Sequence, residues 1–281
     1  MATPVVAVIA PGAMGSAVAA RLVAHGAEVR TTLAGRSAAS VARARKAGMR
    51  DADADAIAAS DFVLSIVPPG RAVALAERLA PALARAARKP VYVDCNAVNP
   101  DTARRVASVL ASAGCPFVDA GIIGPPPRPG RPGTRIYLSG PDAARVAVLG
   151  EYGLEMPLLP GPVGTASALK MSYAGITKGF TALGAAMMLA AARGGTTEHL
   201  KRELADSQPQ LLAWLVRQVP GMYGKAYRWV AEMEEIAGFV GADPAAGALF
   251  EAAARFYAGI AADHAGAGTE TGRLSGFCGE G

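Results

Sequence analysis

A doubly wound α/β sheet domain followed by an all-helical domain is the fold class that the sequence predicts, and three observations carry it. Short apolar, β-branched runs alternate with helix-length segments down to about residue 160, the pattern of a mostly parallel sheet with helices on both faces. From residue 164 to 264 almost everything has helical character, broken near Gly194-Gly195, Pro220-Gly221 and Pro244. Finally, a strand runs into a glycine-containing turn at Val5 to Gly15, and Lys170 stands early in the first long apolar helix. The division expected is a nucleotide-binding domain over 1–162, a helical domain over 163–265 and a flexible, Gly-rich tail over 266–281, with a long helix from about 164 joining the domains.

The elements follow in order. Residues 4–10 form a strand buried on both faces. A helix over 13–24 ends at Gly26, and residues 27–33 make a second strand. Ser37 caps a helix reaching about Ala47. Asp61 to Val67 is a strand stopped by Pro68-Pro69, and residues 71–87 are helical with a break or restart at Pro81. Val91 to Asp94 is a strand. Asn99-Pro100-Asp101 opens a helix: a capping Asn, Pro at the first position, an acid at the positive end. Phe117 to Asp119 and Arg135 to Leu138 are strands around a Pro-, Gly- and Arg-rich loop over 124–133, and a helix begins after Pro141.

Composition narrows the function classes. The chain of 281 residues can bury a sizeable core. Its net charge of +5 comes from scattered Lys and Arg with no basic block interleaved with aromatics, which argues against nucleic acid and fits an anionic ligand. Cys95, Cys115 and Cys278 are few, odd in number and lack metal-ligand spacing, as expected of free thiols in a reducing cytoplasm. No metal is expected. The N-terminus lacks a basic lead segment, and the apolar run Phe180 to Ala192 is too short to span a bilayer, so a soluble cytoplasmic protein is expected.

Ala10-Pro11-Gly12-Ala13-Met14-Gly15 follows a strand and opens a helix. Glycines there let the backbone turn and approach a pyrophosphate, with free helix N–H groups aimed at the anion. Gly12, Ala13 and Met14 are the candidate contacts in what is then a Rossmann-type domain, although alanine stands at the first glycine position. The second strand ends in Thr31-Thr32-Leu33-Ala34-Gly35-Arg36-Ser37 with no acid for ribose hydroxyls. Arg36 can meet a 2′-phosphate and Ser37 can add a hydroxyl, which favours NADP; the alternative is a solvated Arg36. Lys170, with Lys178 eight positions on and Tyr173 between them, can move a proton to or from a carbonyl oxygen if partly desolvated; the alternative is that both lysines reach solvent at the helix edge. Asp94 and Asp119 read as capping or anchoring groups, and His25, His199 and His264 as structural or exposed.

These motifs resemble the β-hydroxyacid dehydrogenase superfamily, which includes 3-hydroxyisobutyrate dehydrogenase, the N-terminal domain of 6-phosphogluconate dehydrogenase and the imine reductases. Met14-Gly15 is similar to its cofactor loop and Arg36-Ser37 to that of its NADP-using members. Val67-Pro68-Pro69 matches the strand end beside the nicotinamide ribose, and Asp94 to Pro100, with Asn96, the next cofactor-side segment. The resemblance puts the catalytic lysine at Lys170. A branch carrying the domain of unknown function 1932 is similar over Asp119 to Pro125, Ser167 to Gly179 and Tyr227 to Glu235. Two departures stand out: Ile123-Gly124-Pro125 replaces a Ser-Gly-Gly step that holds the substrate carboxylate, and Ala174 replaces an amide one turn after the lysine. They imply a bulkier or more apolar small-molecule substrate near Ile123, Gly124, Tyr173 and Lys178, with Met187, Met188, Trp214, Tyr223, Tyr227 and Trp229 as possible lining. The expected function is NADP-dependent hydride transfer on a carbonyl/alcohol pair in a homodimer, with imine reduction or non-catalytic NADP(H) binding as alternatives.

Overall fold

The computed structural model describes residues 3–131 and 133–279. The chain divides into two compact units, Met1–Met171 and Ser172–Gly281.

The first unit is built on a sheet of β1 (Val5–Ile9), β2 (Glu28–Thr31), β3 (Arg50–Asp51), β4 (Phe62–Ser65), β5 (Val91–Asp94), β6 (Phe117–Ile123) and β7 (Arg135–Ser139). Their spatial order is β3-β2-β1-β4-β5-β6-β7. The first six run parallel, and β7 returns antiparallel to β6, with Gly121 opposite Tyr137. Successive strand residues face opposite sides. Val6 and Val8 therefore pack with Val18 and Leu22 of α1 (Ala13–Ala24). Ala7 and Ile9 pack with Ile57 of α3 (Ala54–Ala58) and Leu75 of α4 (Ala72–Arg85). These two apolar layers are why the strands read as continuous hydrophobic runs.

Local signals act as expected at several ends. The Ser37 hydroxyl accepts from the Ser40 N–H at the start of α2 (Ala38–Lys46), and the Asn99 side chain accepts from Thr102 at the start of α5 (Pro100–Ser112). Three expectations are corrected. The helix around Pro81 is unbroken, because the ring faces solvent. Between α2 and β4 lie a two-residue strand, β3, and the short α3, capped by Asp53, too brief for a periodic signal. The strand at 117 continues to Ile123.

After the short α6 (Ala143–Val146) comes α7 (Thr165–Arg193). The division between units falls inside α7 rather than at residue 162, because its first turn is bonded to β6 and β7. The second unit continues with α8 (Thr197–Ser207), α9 (Pro209–Gln218), α10 (Ala226–Val240), α11 (Pro244–Ala265) and α12 (Thr269–Cys278). By length and composition α7 could cross a bilayer, which the run Phe180 to Ala192 did not suggest; yet at its middle Lys178 is ion-paired with Glu232 of α10.

The tail expected to be flexible contains α12, whose Leu274, Phe277 and Cys278 are buried. Each large apolar side chain so buried contributes about 1.5–3 kcal/mol. The Asp263 carboxylate fixes the start of α12, accepting from the N–H groups of Thr271 (2.8 Å) and Glu270 (3.0 Å) and from the Thr271 hydroxyl (2.9 Å). Bonds from the Thr271 and Glu270 backbones hold its carboxyl below the usual range. A depressed folded pKa gives stability that is complete above the unfolded value and lost as pH falls through the folded one. Asp263→Asn is therefore expected to lower Tm at neutral pH, with the deficit closing in acid; a deficit constant across pH would refute the assignment.

Candidate active site

In a sheet of this order the crevice lies beyond the strand ends, between β1 and β4, where the order reverses. A cavity of about 600 Å³ occupies that place. Ala10 at the end of β1, Val67 and Pro68 at the end of β4, and Thr32, Ala34, Gly35 and Arg36 after β2 line it, together with Ala54 and Ile57 of α3 and Arg71, Ala74, Leu75, Arg78 and Leu79 at the head of α4. Arg36, Val67 and Pro68 are thus brought together.

The fingerprint loop fits a dinucleotide phosphate. A Cβ on Gly15 would lie 2.1 Å from the Ala10 carbonyl oxygen, so glycine there lets α1 close on β1, while a Cβ on Gly12 would meet nothing within 4 Å. The start of α1 has no side-chain cap and no acid in its first turn, which leaves its orphan N–H groups for an anion. Gly12 and Ala13 are exposed and Met14 is half-buried. Gly15→Ala is expected to cost at least about 1–3 kcal/mol and to weaken dinucleotide binding sharply, read by urea unfolding and titration with both nicotinamide dinucleotides; wild-type values for both readouts would contradict this.

Other sequence-predicted residues have different duties. The Ser37 hydroxyl is engaged in capping α2, and Pro69 is buried beneath the strand end. Asn96 is 3% exposed. Its carbonyl oxygen accepts from the Val67 N–H at 2.6 Å, and its amide donates to the Ser65 hydroxyl at 2.8 Å and to Asp94. Asn96 therefore braces the β4–β5 strand ends instead of orienting substrate or nicotinamide itself, since its polar atoms are taken up in the interior.

Lys170 is half-buried on the second turn of α7. Asp119, fully buried at the heart of β6, sets its position. One carboxylate oxygen accepts from the Ser139 hydroxyl (2.9 Å) and the N–H groups of Gly164 (2.9 Å) and Ser167 (3.0 Å); the other accepts from the Ser167 hydroxyl (2.6 Å). The Ser139 hydroxyl in turn accepts from the Ala166 N–H at 2.9 Å. The orphan donors that open α7 are thus satisfied by two strands of the sheet. A Cβ on Gly121 would fall 2.7 Å from the Ala166 carbonyl and 3.1 Å from the Lys170 Cβ, so only glycine lets α7 lie this close to β6. Asp119 was legible as an anchor; Gly121, Ser139 and Ser167 carried no signal of their partnership.

Ile123 ends β6, half-buried. Gly124, at φ +116°, passes beneath the Gly133 carbonyl, which stands where its Cβ would be. In the second unit Lys178 lies over the Trp229 ring at 5.0 Å and pairs with Glu232, both charges about 85% covered. Tyr173 is exposed and stands on an apolar stripe with Ile176, Phe180, Leu183 and Met187. Of the aromatic and Met residues suggested as pocket lining, Trp214 meets Phe180, Tyr223 meets His264, Trp229 meets Tyr257, Met188 is buried, and Met187 and Tyr227 are exposed. Ala174 is buried as well.

The cysteines are free and buried. Burial pushes the Cys115 thiol up to about 11 and that of Cys95 well above its usual value, so neither is an activated nucleophile. Among the described residues no group of His, Cys, Asp and Glu could hold a metal ion. The arrangement suits dinucleotide binding at the β1 and β4 strand ends, with a lysine fixed separately against β6.

Comparison with known proteins bears out the dinucleotide-binding domain and the helical domain after it. Residues 5–148 match the NAD binding domain of 6-phosphogluconate dehydrogenase, and residues 191–260 match a domain of unknown function, DUF1932. A conserved protein of unknown function, described as structurally similar to 3-hydroxyacid dehydrogenases, is 29% identical with a TM-score of 0.69, over 96% of this chain and 99% of that one. A 3-hydroxyisobutyrate dehydrogenase of Mycobacterium tuberculosis is 21% identical with a TM-score of 0.69, over 94% and 96% of the two chains. An imine reductase of Streptomyces aurantiacus is 23% identical with a TM-score of 0.55, over 92% and 95%. The last two show a shared fold.

Proposed function

Because the chain belongs to the family of the NAD binding domain of 6-phosphogluconate dehydrogenase, followed by a DUF1932 domain, we propose that it is an NADP-dependent oxidoreductase acting on a carbonyl/alcohol pair, with Lys170 as its proton-handling residue. The single observation that carries this is the clamp of Asp119, Ser139 and Ser167, which pins the helix bearing Lys170 to the sheet that builds the dinucleotide site.

The bound cofactor supplies hydride chemistry. The chain's own residues do the rest. Gly12 to Met14 at the head of α1 would receive the pyrophosphate, Arg36 would meet the 2′-phosphate, and Val67 and Pro68 would form the wall beside the ribose. In the reductive direction the Lys170 ammonium donates a proton to the carbonyl oxygen as charge develops there; in the oxidative direction the neutral amine removes the hydroxyl proton. Ile123 and Gly124, where a substrate-binding serine is absent, leave an apolar wall suited to a substrate less polar than a simple hydroxy acid. The free thiols accord with a reducing cytoplasm.

Titration with NADPH and NADH, followed by nicotinamide fluorescence, tests the cofactor half. Tighter NADPH binding that is lost in Arg36→Ala supports it, whereas binding of neither dinucleotide ends the oxidoreductase proposal. A screen of ketones, alcohols and imines tests the chemistry. Imine reduction is favoured by the same Ile123-Gly124-Pro125 step, and turnover of imines alone would select it. Tight binding with no turnover would select a non-catalytic role.

The partner we propose is a second copy. Tyr173, Ile176, Phe180, Leu183 and Met187 recur at spacings of three and four along α7 and are each about half exposed or more, and Ile176, Phe180 and Leu183 with Leu249 and Phe250 of α11 border an apolar groove. A stripe of that kind buries itself against another helix. Light scattering is expected to give twice the chain mass, and Phe180→Glu with Leu183→Glu to give the monomer; a monomeric parent protein would contradict this.

A further inference from the structure

We infer that Arg71 and Arg78 of the α4 region act with Arg36 as a three-guanidinium reader of the 2′-phosphate, so that cofactor choice is set from two sides of the cavity. The inference rests on the cofactor half of the proposed function and extends it to residues that the β2 loop does not contain.

Arg71 stands at the N-cap of α4, and Arg78 lies two turns along it. With Ala74 and Leu75 between them they line the cavity, at the i, i+3, i+4, i+7 spacing of one helical face. Arg36 enters the same cavity from the loop after β2.

The charge balance is one-sided. No carboxylate lines the cavity. Of the acids nearby, Asp51 accepts from the Leu33 N–H, Asp53 caps α3 and Asp55 pairs with Arg85, while Glu77, next to Arg78 on α4, is exposed and not among the residues lining the cavity. Among the described residues none of the three arginines makes an ion pair. Three like charges around one cavity repel one another, and a dianionic phosphomonoester relieves that repulsion while offering oxygens to planar, forked donors. Between the two arginines Ala74 presents a methyl, a flat patch over which a purine can lie. A guanidinium can stack on the purine's face while its edge reaches the phosphate.

The test uses adenosine 2′,5′-bisphosphate and 5′-AMP, which differ by the 2′-phosphate, with calorimetric titration of the whole chain and its Arg71→Met and Arg78→Met variants. Methionine keeps side-chain length and helix propensity. Each variant is expected to lose about tenfold or more in affinity for the bisphosphate, the scale of one charged hydrogen bond, and to stay within about threefold of the parent for 5′-AMP. The NADPH-to-NADH preference should fall in parallel, with a shallower dependence on salt. Equal losses for both ligands would place the arginines on the 5′-phosphate side and overturn the inference. A parent that prefers the bisphosphate while both variants bind it equally well would also overturn it, leaving the NADP assignment to Arg36 alone. A parent indifferent to the 2′-phosphate would remove the NADP assignment and this inference together.

Discussion

Lys170→Ala is expected to lower turnover by about 10²-fold or more, the usual contribution of a positioned proton donor, with little change in the dissociation constant for NADPH. The separation follows from where the side chain stands. Lys170 is on the second turn of α7 against β6, and it is not among the residues lining the cavity between β1 and β4. Alanine is the best helix former, and the anchoring bonds of α7 come from the backbone of Gly164, Ala166 and Ser167 and the Ser167 hydroxyl, none of which the substitution touches. A transition-state interaction lost without ground-state loss lowers kcat and kcat/KM together. An equal loss of cofactor affinity and turnover would show a positional defect, and unchanged turnover would remove Lys170 from the chemistry.

The second large effect is expected on stability. Asp119→Ala strips one buried carboxylate from two hydroxyls and two backbone N–H groups. Each buried donor left without an acceptor costs roughly 1–3 kcal/mol. The hydroxyls can rotate toward other partners, so the costs do not add in full, and a total of about 3–5 kcal/mol is expected. That is a large share of the ~5–15 kcal/mol that holds a domain folded. Asp119→Asn should show only part of that loss, because its amide oxygen can still accept from the Ser139 hydroxyl and the Gly164 and Ser167 N–H groups while its NH2 faces the Ser167 hydroxyl, which must turn to accept. Urea unfolding measures both, and a shift under about 1 kcal/mol for the alanine variant would show that the clamp is dispensable. Turnover should fall in both variants at temperatures where they remain folded, since the start of α7 carries Lys170.

The residues that were legible in the sequence are those whose duty is local. Asn99-Pro100-Asp101 names a helix start because the cap, the fixed φ and the acid act within one turn. Val6 to Ile9 name a central strand because both faces are buried. Ser37 and Asn96 show the limit of that logic. A hydroxyl beside an arginine and an amide at a strand end suit a ligand equally well, and only the fold shows that α2 uses the first and the β4–β5 strand ends the second. Arg71 and Arg78 were invisible as site residues because they join Arg36 through the sheet order, which sets the head of α4 beside the loop after β2. Gly121 was equally silent, since the demand on it comes from a helix more than forty residues later. The Gly-rich composition after residue 265 suggested disorder, while the order there comes from Asp263 and from Leu274 and Phe277.

The late position of α12 sets a schedule for folding during synthesis. The sheet unit has all of its residues once Met171 has left the ribosome, and domains fold as units from the N-terminal end. The helical unit cannot close its core until Leu274 and Phe277 emerge, a little over one hundred residues later, or about 5–20 s at ordinary rates of elongation. For that interval the faces of α8, α9 and α11 against which α12 packs stand uncovered in the nascent chain, and this is the window in which a chaperone that recognises exposed apolar helix has most to do.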